Sequence, residues 1–237
     1  MNFCWELFFA NTELSYVWNE ATWAGKGIII FLFFFSLVAW TVMVFKAKQI
    51  HQAKNLNGDF EVEFRGQEKV LDVYRREIHV EGCPLFTVYQ EGCQELEQRL
   101  KRSDNPDVGD DISLKSMEHI KRTLERSVSQ QSLRLESGLI LLAIAVSGAP
   151  FIGLLGTVWG VMSAFSNVGL EGNAQLATLA PGVASALSTT IAGLFVAIPS
   201  MFGYNWLVHN LRVFTVELDN FAQELVSKME TEYLKDD

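Results

Sequence analysis

The chain has 237 residues, a formal net charge of −9 and 20% charged residues, with a mean hydropathy of only +0.15. Those averages suit a soluble protein of one or two domains, and the acidic balance argues against nucleic acid as a partner. Three cysteines, Cys4, Cys83 and Cys93, make neither an even disulfide framework nor a metal-ligand spacing, and read as free thiols. The averages conceal a segregation. Gly27–Phe45, Ser137–Leu170 and Gly172–Val208 contain no Asp, Glu, Lys, Arg or His. Each reaches the roughly 20 apolar residues that a helix needs to cross hydrocarbon.

In chain order, residues 1–26 carry Trp5, Phe8, Phe9, Tyr16, Trp18 and Trp23, which predicts a short helix lying at the membrane interface. Residues 27–45 are the first span. They lie far from Met1 without a basic leader and precede Lys46 and Lys48, so they read as a retained helix and not a signal peptide. Residues 46–136 hold 15 Lys/Arg and 17 Asp/Glu and form a soluble helical domain. Within it Ser103–Asp111 reads as a loop, and Leu114–Leu135 as a helix running straight into the second span. Residues 137–168 and 176–208 are spans two and three, joined by a hairpin around Asn167–Asn173, with 169–175 as its turn. Residues 209–237 continue span three as a helix, with Val213, Val216, Leu218, Phe221, Leu225 and Met229 at near-helical spacing. Every Lys and Arg except Lys26 lies in 46–136 or in the tail. That bias places the middle domain and the C-terminus in the cytoplasm and the N-terminus on the far side.

The second and third spans are unlike lipid anchors. Gly148, Gly153, Gly156, Gly160 and Ala164 recur along one. Pro181, Ser185, Thr189, Gly193 and Ala197 recur every four residues along the other. Small residues at this stride allow close backbone approach where lipid supplies no hydrophobic drive for association, and Gly182 extends the set. Hydroxyls are frequent too. Ser185, Ser188 and Thr189 stand at i, i+3 and i+4 on one face, compatible either with bonding to the backbone one turn back or with a wet lining. Pro150, Pro181 and Pro199 each remove a backbone donor and can bend a helix. No ionisable group lies at membrane depth, where proton relays normally use one. A proton pathway here needs its titratable group from a partner. An intramembrane serine protease would need a histidine base, and His51, His79, His119 and His209 all lie outside the spans.

Ala149-Pro150-Phe151-Ile152-Gly153-Leu154-Leu155-Gly156-Thr157-Val158-Trp159-Gly160-Val161-Met162 resembles the second-helix signature of the TolQ/ExbB family, relatives of MotA. Leu179-Ala180-Pro181-Gly182-Val183-Ala184-Ser185-Ala186-Leu187, with Thr190, Gly193-Leu194 and Ala197-Ile198-Pro199, is similar to the third-helix signature. Tyr204-Asn205 fits the pattern that follows it. The resemblance implies an all-α protein of the bacterial inner membrane, three transmembrane helices packed as a homo-oligomeric ring, pentameric in the family, with the N-terminus periplasmic. It also implies a TolR/ExbD-like single-span partner bearing a membrane Asp in the pore, and a TonB/TolA-like protein on which proton flow does work. Its polar pore residues carry over to Thr157 and Thr190. Where family members commonly have Glu, this chain has Ser185. No cofactor, metal or enzymatic activity is implied. A non-conducting scaffold for partner helices remains the alternative, and envelope maintenance and outer-membrane import are not separated by these motifs.

Overall fold

The computed structural model describes residues 18, 19, 21–76, 80–102, 112–171 and 176–234. It is helical: α1 Trp23–Arg65, α2 Asp72–Arg75, α3 Pro84–Arg102, α4 Leu114–Glu136, α5 Leu139–Glu171 and α6 Leu176–Tyr233. Three of these, α1, α5 and α6, are long and apolar enough to cross a membrane. Of the predicted interfacial segment 1–26, residues 18, 19 and 21–26 are described, and Trp23–Lys26 are already part of α1; its other residues and the Ser103–Asp111 loop lie outside the described residues. α1 continues twenty residues past the predicted span, and α5 runs through Asn167 to Glu171, so only 172–175 lie between it and α6. α4 does not run straight into α5. Gly138 interrupts them at φ +86°, a left-handed conformation that favours glycine and commonly ends helices.

The chain forms two compact units, the described parts of Met1–Val44 with Gly138–Trp206 and of Phe45–Ser137 with Leu207–Asp237. In the first, α1 begins at a Thr22 cap whose Oγ1 accepts from Gly25 N at 3.1 Å, satisfying an otherwise orphaned amide. Leu32 of α1 is buried with Ala149 of α5 and with Val196 and Ala197 of α6, and Ile28, Phe35, Ile152 and Ala192 pack around them. The α5–α6 seam is closer than ordinary side chains permit. A Cβ built on Gly153 would stand 2.8 Å from the Thr189 carbonyl oxygen and 3.1 Å from Thr190 Cα. One on Gly193 would stand 2.6 Å from the Ala149 carbonyl oxygen. Gly160 faces Ala186 and Gly182 faces Ala164 at 2.7 and 2.8 Å by the same construction. The small-residue stripes therefore pair these two helices within one chain. The opposite faces carry Phe151, Leu154, Val158 and Met162 on α5 and Leu187, Ile191, Phe195 and Phe202 on α6, all exposed.

The second unit is a helical bundle with coiled-coil spacing. Its α1 seam is Lys46, Ile50, Ala53, Asn57, Phe60 and Phe64. Its α6 seam is Leu207, Leu211, Phe214, Leu218, Phe221, Leu225 and Met229, all buried. From Lys46 to Phe64 and from Leu207 to Leu225 steps of four and three alternate, the heptad rhythm of helices packed knobs-into-holes. The tail stripe thus includes Leu211 and Phe214, whereas Val213 and Val216 are exposed. Phe60, Phe64, Phe86, Tyr89 and Phe221 form an aromatic cluster, with Phe64 and Phe221 centroids 5.1 Å apart and the Lys228 ammonium 4.3 Å over the Phe64 ring. α3 opens with Pro84, which suits a first helical position. The next amide, Leu85 N, donates to Asn57 Oδ1 of α1 at 3.1 Å, so one helix caps another. Tyr89 donates to the Val70 carbonyl and accepts from Tyr74 N at 2.9 Å.

Cys83 and Cys93 are free and buried; Cys4 lies outside the described residues. Burial pushes the Cys83 thiol up and the Cys93 thiol up to about 12, the latter only partly offset by its bond with Tyr89. Burial likewise raises Tyr89. The thiolate is the nucleophile, and burial disfavours it at both cysteines.

Two outcomes follow. Gly153→Val introduces atoms where backbone already stands, and the overpacking cost is about 1–3 kcal/mol or more; the thermal midpoint of the purified chain falls, while Gly148→Ala, whose new methyl meets nothing nearer than 3.8 Å, leaves it unchanged. In a Cys4→Ser background, iodoacetamide at pH 8 modifies Cys93 only in denaturant. Because folding raises that thiol above its ordinary 9.0, its contribution to stability is complete below pH 9 and is lost as pH rises toward 12, read as an alkaline fall in thermal midpoint.

Candidate functional site

The site lies on the α5–α6 seam of the first unit, where the absence of side chains on Gly153, Gly156 and Gly193 brings hydroxyls from α6 against the α5 backbone. Three hydroxyls converge on one atom, the Gly153 carbonyl oxygen. Thr157 Oγ1 donates to it at 3.1 Å from one turn along α5. Thr189 Oγ1 and Thr190 Oγ1 reach it across the seam at 3.0 Å and 3.2 Å. Thr157 and Thr190 also share a hydrogen bond directly, each able to donate. Thr189 has a second acceptor, the Ala186 carbonyl at 2.7 Å.

The other predicted residues divide around this cluster. Thr189 is 1% exposed within the chain and Ser185 5%, and Thr189 packs against Gly156 of α5. Ser188 is half-buried and donates to the Ser185 carbonyl at 2.6 Å, the local backbone bond open to any helical serine. Ser200 does the same with Val196. Thr157 and Thr190 are partly exposed at the edge of the seam. Gly153, Gly156, Gly160, Gly182 and Gly193 all stand in close approach to the partner helix. Pro150 lies inside α5, and Pro181 and Pro199 inside α6. Gly203, not singled out in the sequence, is a further close approach, to the Met43 sulfur of α1.

Among the described residues no group of three or more His, Cys, Asp or Glu could hold a metal ion, and residues 149–170 of α5 and 176–200 of α6 carry no ionisable side chain. Chemically the cluster offers hydroxyl donors and carbonyl acceptors in a charge-free setting. It can pass a proton by reorienting hydroxyls, but it cannot store one near neutral pH.

The stretch of chain that carries this seam lies within a match to a known family. Residues 87–220 match the MotA/TolQ/ExbB proton channel family. The chain is 30% identical over 199 residues to the biopolymer transport protein ExbB of Neisseria meningitidis, covering 84% of this chain and 89% of that one. It is 33% identical over 207 residues to the Tol-Pal system protein TolQ of Haemophilus influenzae, covering 84% and 86%. A 38% identity to an ExbB of Xanthomonas campestris spans 125 residues, 53% of this chain and 49% of that protein. With the family match over more than half its length, three membrane-length helices and a hydroxyl-lined seam between the last two, this multi-pass membrane chain belongs to the MotA/TolQ/ExbB proton channel family.

Proposed function

We propose that the chain is the channel-forming subunit of a proton-driven energy transducer in the bacterial inner membrane. In this reading identical copies, five by analogy with the family, surround a pore. The N-terminus is periplasmic and the C-terminus cytoplasmic. A TolR/ExbD-like single-span protein occupies the pore and supplies the membrane Asp that this chain lacks. Proton flow then drives a TonB/TolA-like protein that works at the outer membrane, for import or envelope maintenance. The chain itself is no enzyme.

The observation that supports this best is the convergence of Thr157, Thr189 and Thr190 on the Gly153 carbonyl in a segment without ionisable groups. A hydroxyl relay next to a partner's carboxylate divides the labour: the carboxylate holds the proton, and the hydroxyls hand it on. Ser185, in the place where the family commonly has Glu, leaves that division complete, because no carboxylate of this chain competes with the partner's.

One observation favours the scaffold alternative. Thr189 is buried with both its acceptors inside the helix pair, as a packing residue would be. The two readings separate at Thr157 and Thr190, which are less buried. Thr157→Val and Thr190→Val keep shape and remove the hydroxyl. The expected outcome is normal assembly with the partner and loss of proton flux by at least about a hundredfold in liposomes holding both proteins under an imposed gradient, since relay groups contribute about 10²–10⁴-fold. Unchanged flux in both variants removes the hydroxyls from the pathway. An absence of flux in the unaltered complex favours the scaffold.

A further inference from the structure

The second unit buries one cation at a place where its packing rhythm calls for an apolar side chain. Lys46 is the first member of the α1 seam that continues with Ile50, Ala53, Asn57, Phe60 and Phe64, and it is 5% exposed. Burying an ammonium is costly unless specific partners receive its protons. Here there are two. Lys46 Nζ donates to Gln49 Oε1 at 2.9 Å, one turn along its own helix. It also donates to the Leu135 carbonyl at 3.1 Å, 89 residues away in sequence.

That carbonyl is not an arbitrary acceptor. Leu135 lies in the last turn of α4, whose final four carbonyls have no helical amide to receive and carry the negative end of the helix dipole. The neighbouring carbonyls of the same turn are served locally, Leu133 by Ser137 N at 3.0 Å and Arg134 by Ser137 Oγ at 2.7 Å. Leu135 is served from another helix. Immediately afterwards Gly138 takes its positive φ, and the chain enters α5. Three carbonyls of the turn are thus bonded, two by one local residue and one by a distant cation.

We propose that Lys46 is a positioning residue that clamps the last turn of α4, and so fixes the point at which the chain leaves the soluble bundle for its second span. A lysine at a heptad position sacrifices stability for location: an apolar residue would pack at least as well, but would leave the α4 terminus free to fray. The clamp joins the end of the first span in sequence to the start of the second. In the energy-transducing reading above, on which its consequence for work rests, it holds α4 against force arriving through α5.

The test uses the full-length chain in nanodiscs and three variants, Lys46→Met, Lys46→Gln and Lys46→Arg. Hydrogen exchange is read at the Leu135, Glu136 and Ser137 amides beside the thermal midpoint. Charge-assisted bonds are the strong ones, so Lys46→Met and Lys46→Gln accelerate exchange there at least about tenfold, Lys46→Met without lowering the midpoint, and Lys46→Arg stays within about threefold of the unaltered chain. Unchanged exchange in Lys46→Met overturns the clamp. So does an arginine variant as fast as the methionine one, and so does failure of both Met and Gln variants to fold, which would make Lys46 a folding residue. In cells that depend on the chain, Lys46→Met loses energised work and Lys46→Arg retains it; full work in a Lys46→Met chain whose α4 terminus exchanges fast removes the positioning role. Because exchange is read on the isolated chain, it stands whether or not Thr157 and Thr190 prove to carry protons.

Discussion

The packing of α5 on α6 is a backbone-to-backbone contact, and the candidate site exists only because of it. Lipid does not drive apolar helices together, since its tails are as apolar as leucine. What remains is dispersion at close range and a few polar bonds. Both need the helices nearer than β-carbons on both sides of the contact would allow. Gly153 meets the Thr189 carbonyl and Gly193 the Ala149 carbonyl, and only at that separation do hydroxyls of α6 reach a carbonyl of α5. The glycines and the threonines are therefore one device. Enlarging a glycine breaks the hydroxyl bonds as surely as it breaks the packing.

The two compact units solve the same problem by opposite means. In the first, small residues face one another across the α5–α6 contact and large apolar ones, such as Phe151 and Phe195, are exposed on the other faces of the two helices. In the second, leucines and aromatics are buried at heptad spacing, and charges such as the Arg65–Glu61 pair lie outside. α1 and α6 each contribute to both units, so each carries two packing codes along its length. The change occurs near residues 45 and 207, close to where the uncharged stretches end. The bundle tolerates a few polar side chains on its buried faces, Asn57, Ser127 and Gln131 as well as Lys46. Polar groups in such a seam fix which residues face which, at some expense in stability.

Much of this was legible in the sequence. The three long apolar helices follow from the missing charges, and the glycine positions of the α5–α6 contact follow from stride and residue size. What was not legible has a common cause: it depends on contacts between distant residues. That Thr157, Thr189 and Thr190 meet on one carbonyl is set by the relative register of two helices, which neither helix encodes alone. The tail's buried face holds Leu218, Phe221, Leu225 and Met229 as expected and departs only at its start, where Leu211 and Phe214 are buried in place of Val213 and Val216, residues as apolar, between which only packing against the other helices decides. The capping of α3 by Asn57 and of α4 by Lys46 involves partners 28 and 89 residues away. Gly138 is a different case. A glycine just past a periodic segment is a helix-stop signal, but it stands at the head of an uncharged run and reads equally well as the first residue of a span.

The hydroxyl cluster has one property that follows from counting lone pairs. A carbonyl oxygen offers two, yet three hydroxyls stand within bonding distance of the Gly153 oxygen. They cannot all be fully satisfied there at once. Thr189 can turn to the Ala186 carbonyl, and Thr157 and Thr190 can turn to each other. Several arrangements of the same protons thus share nearly the same heavy-atom positions, and passing between them requires rotation of hydroxyls and no movement of helices. A fully satisfied network would be rigid, because each rotation would break a bond without making another. An oversubscribed acceptor removes that penalty. This is a seam whose hydroxyl protons can be rearranged without disturbing its close packing, the property on which the proposed pathway draws.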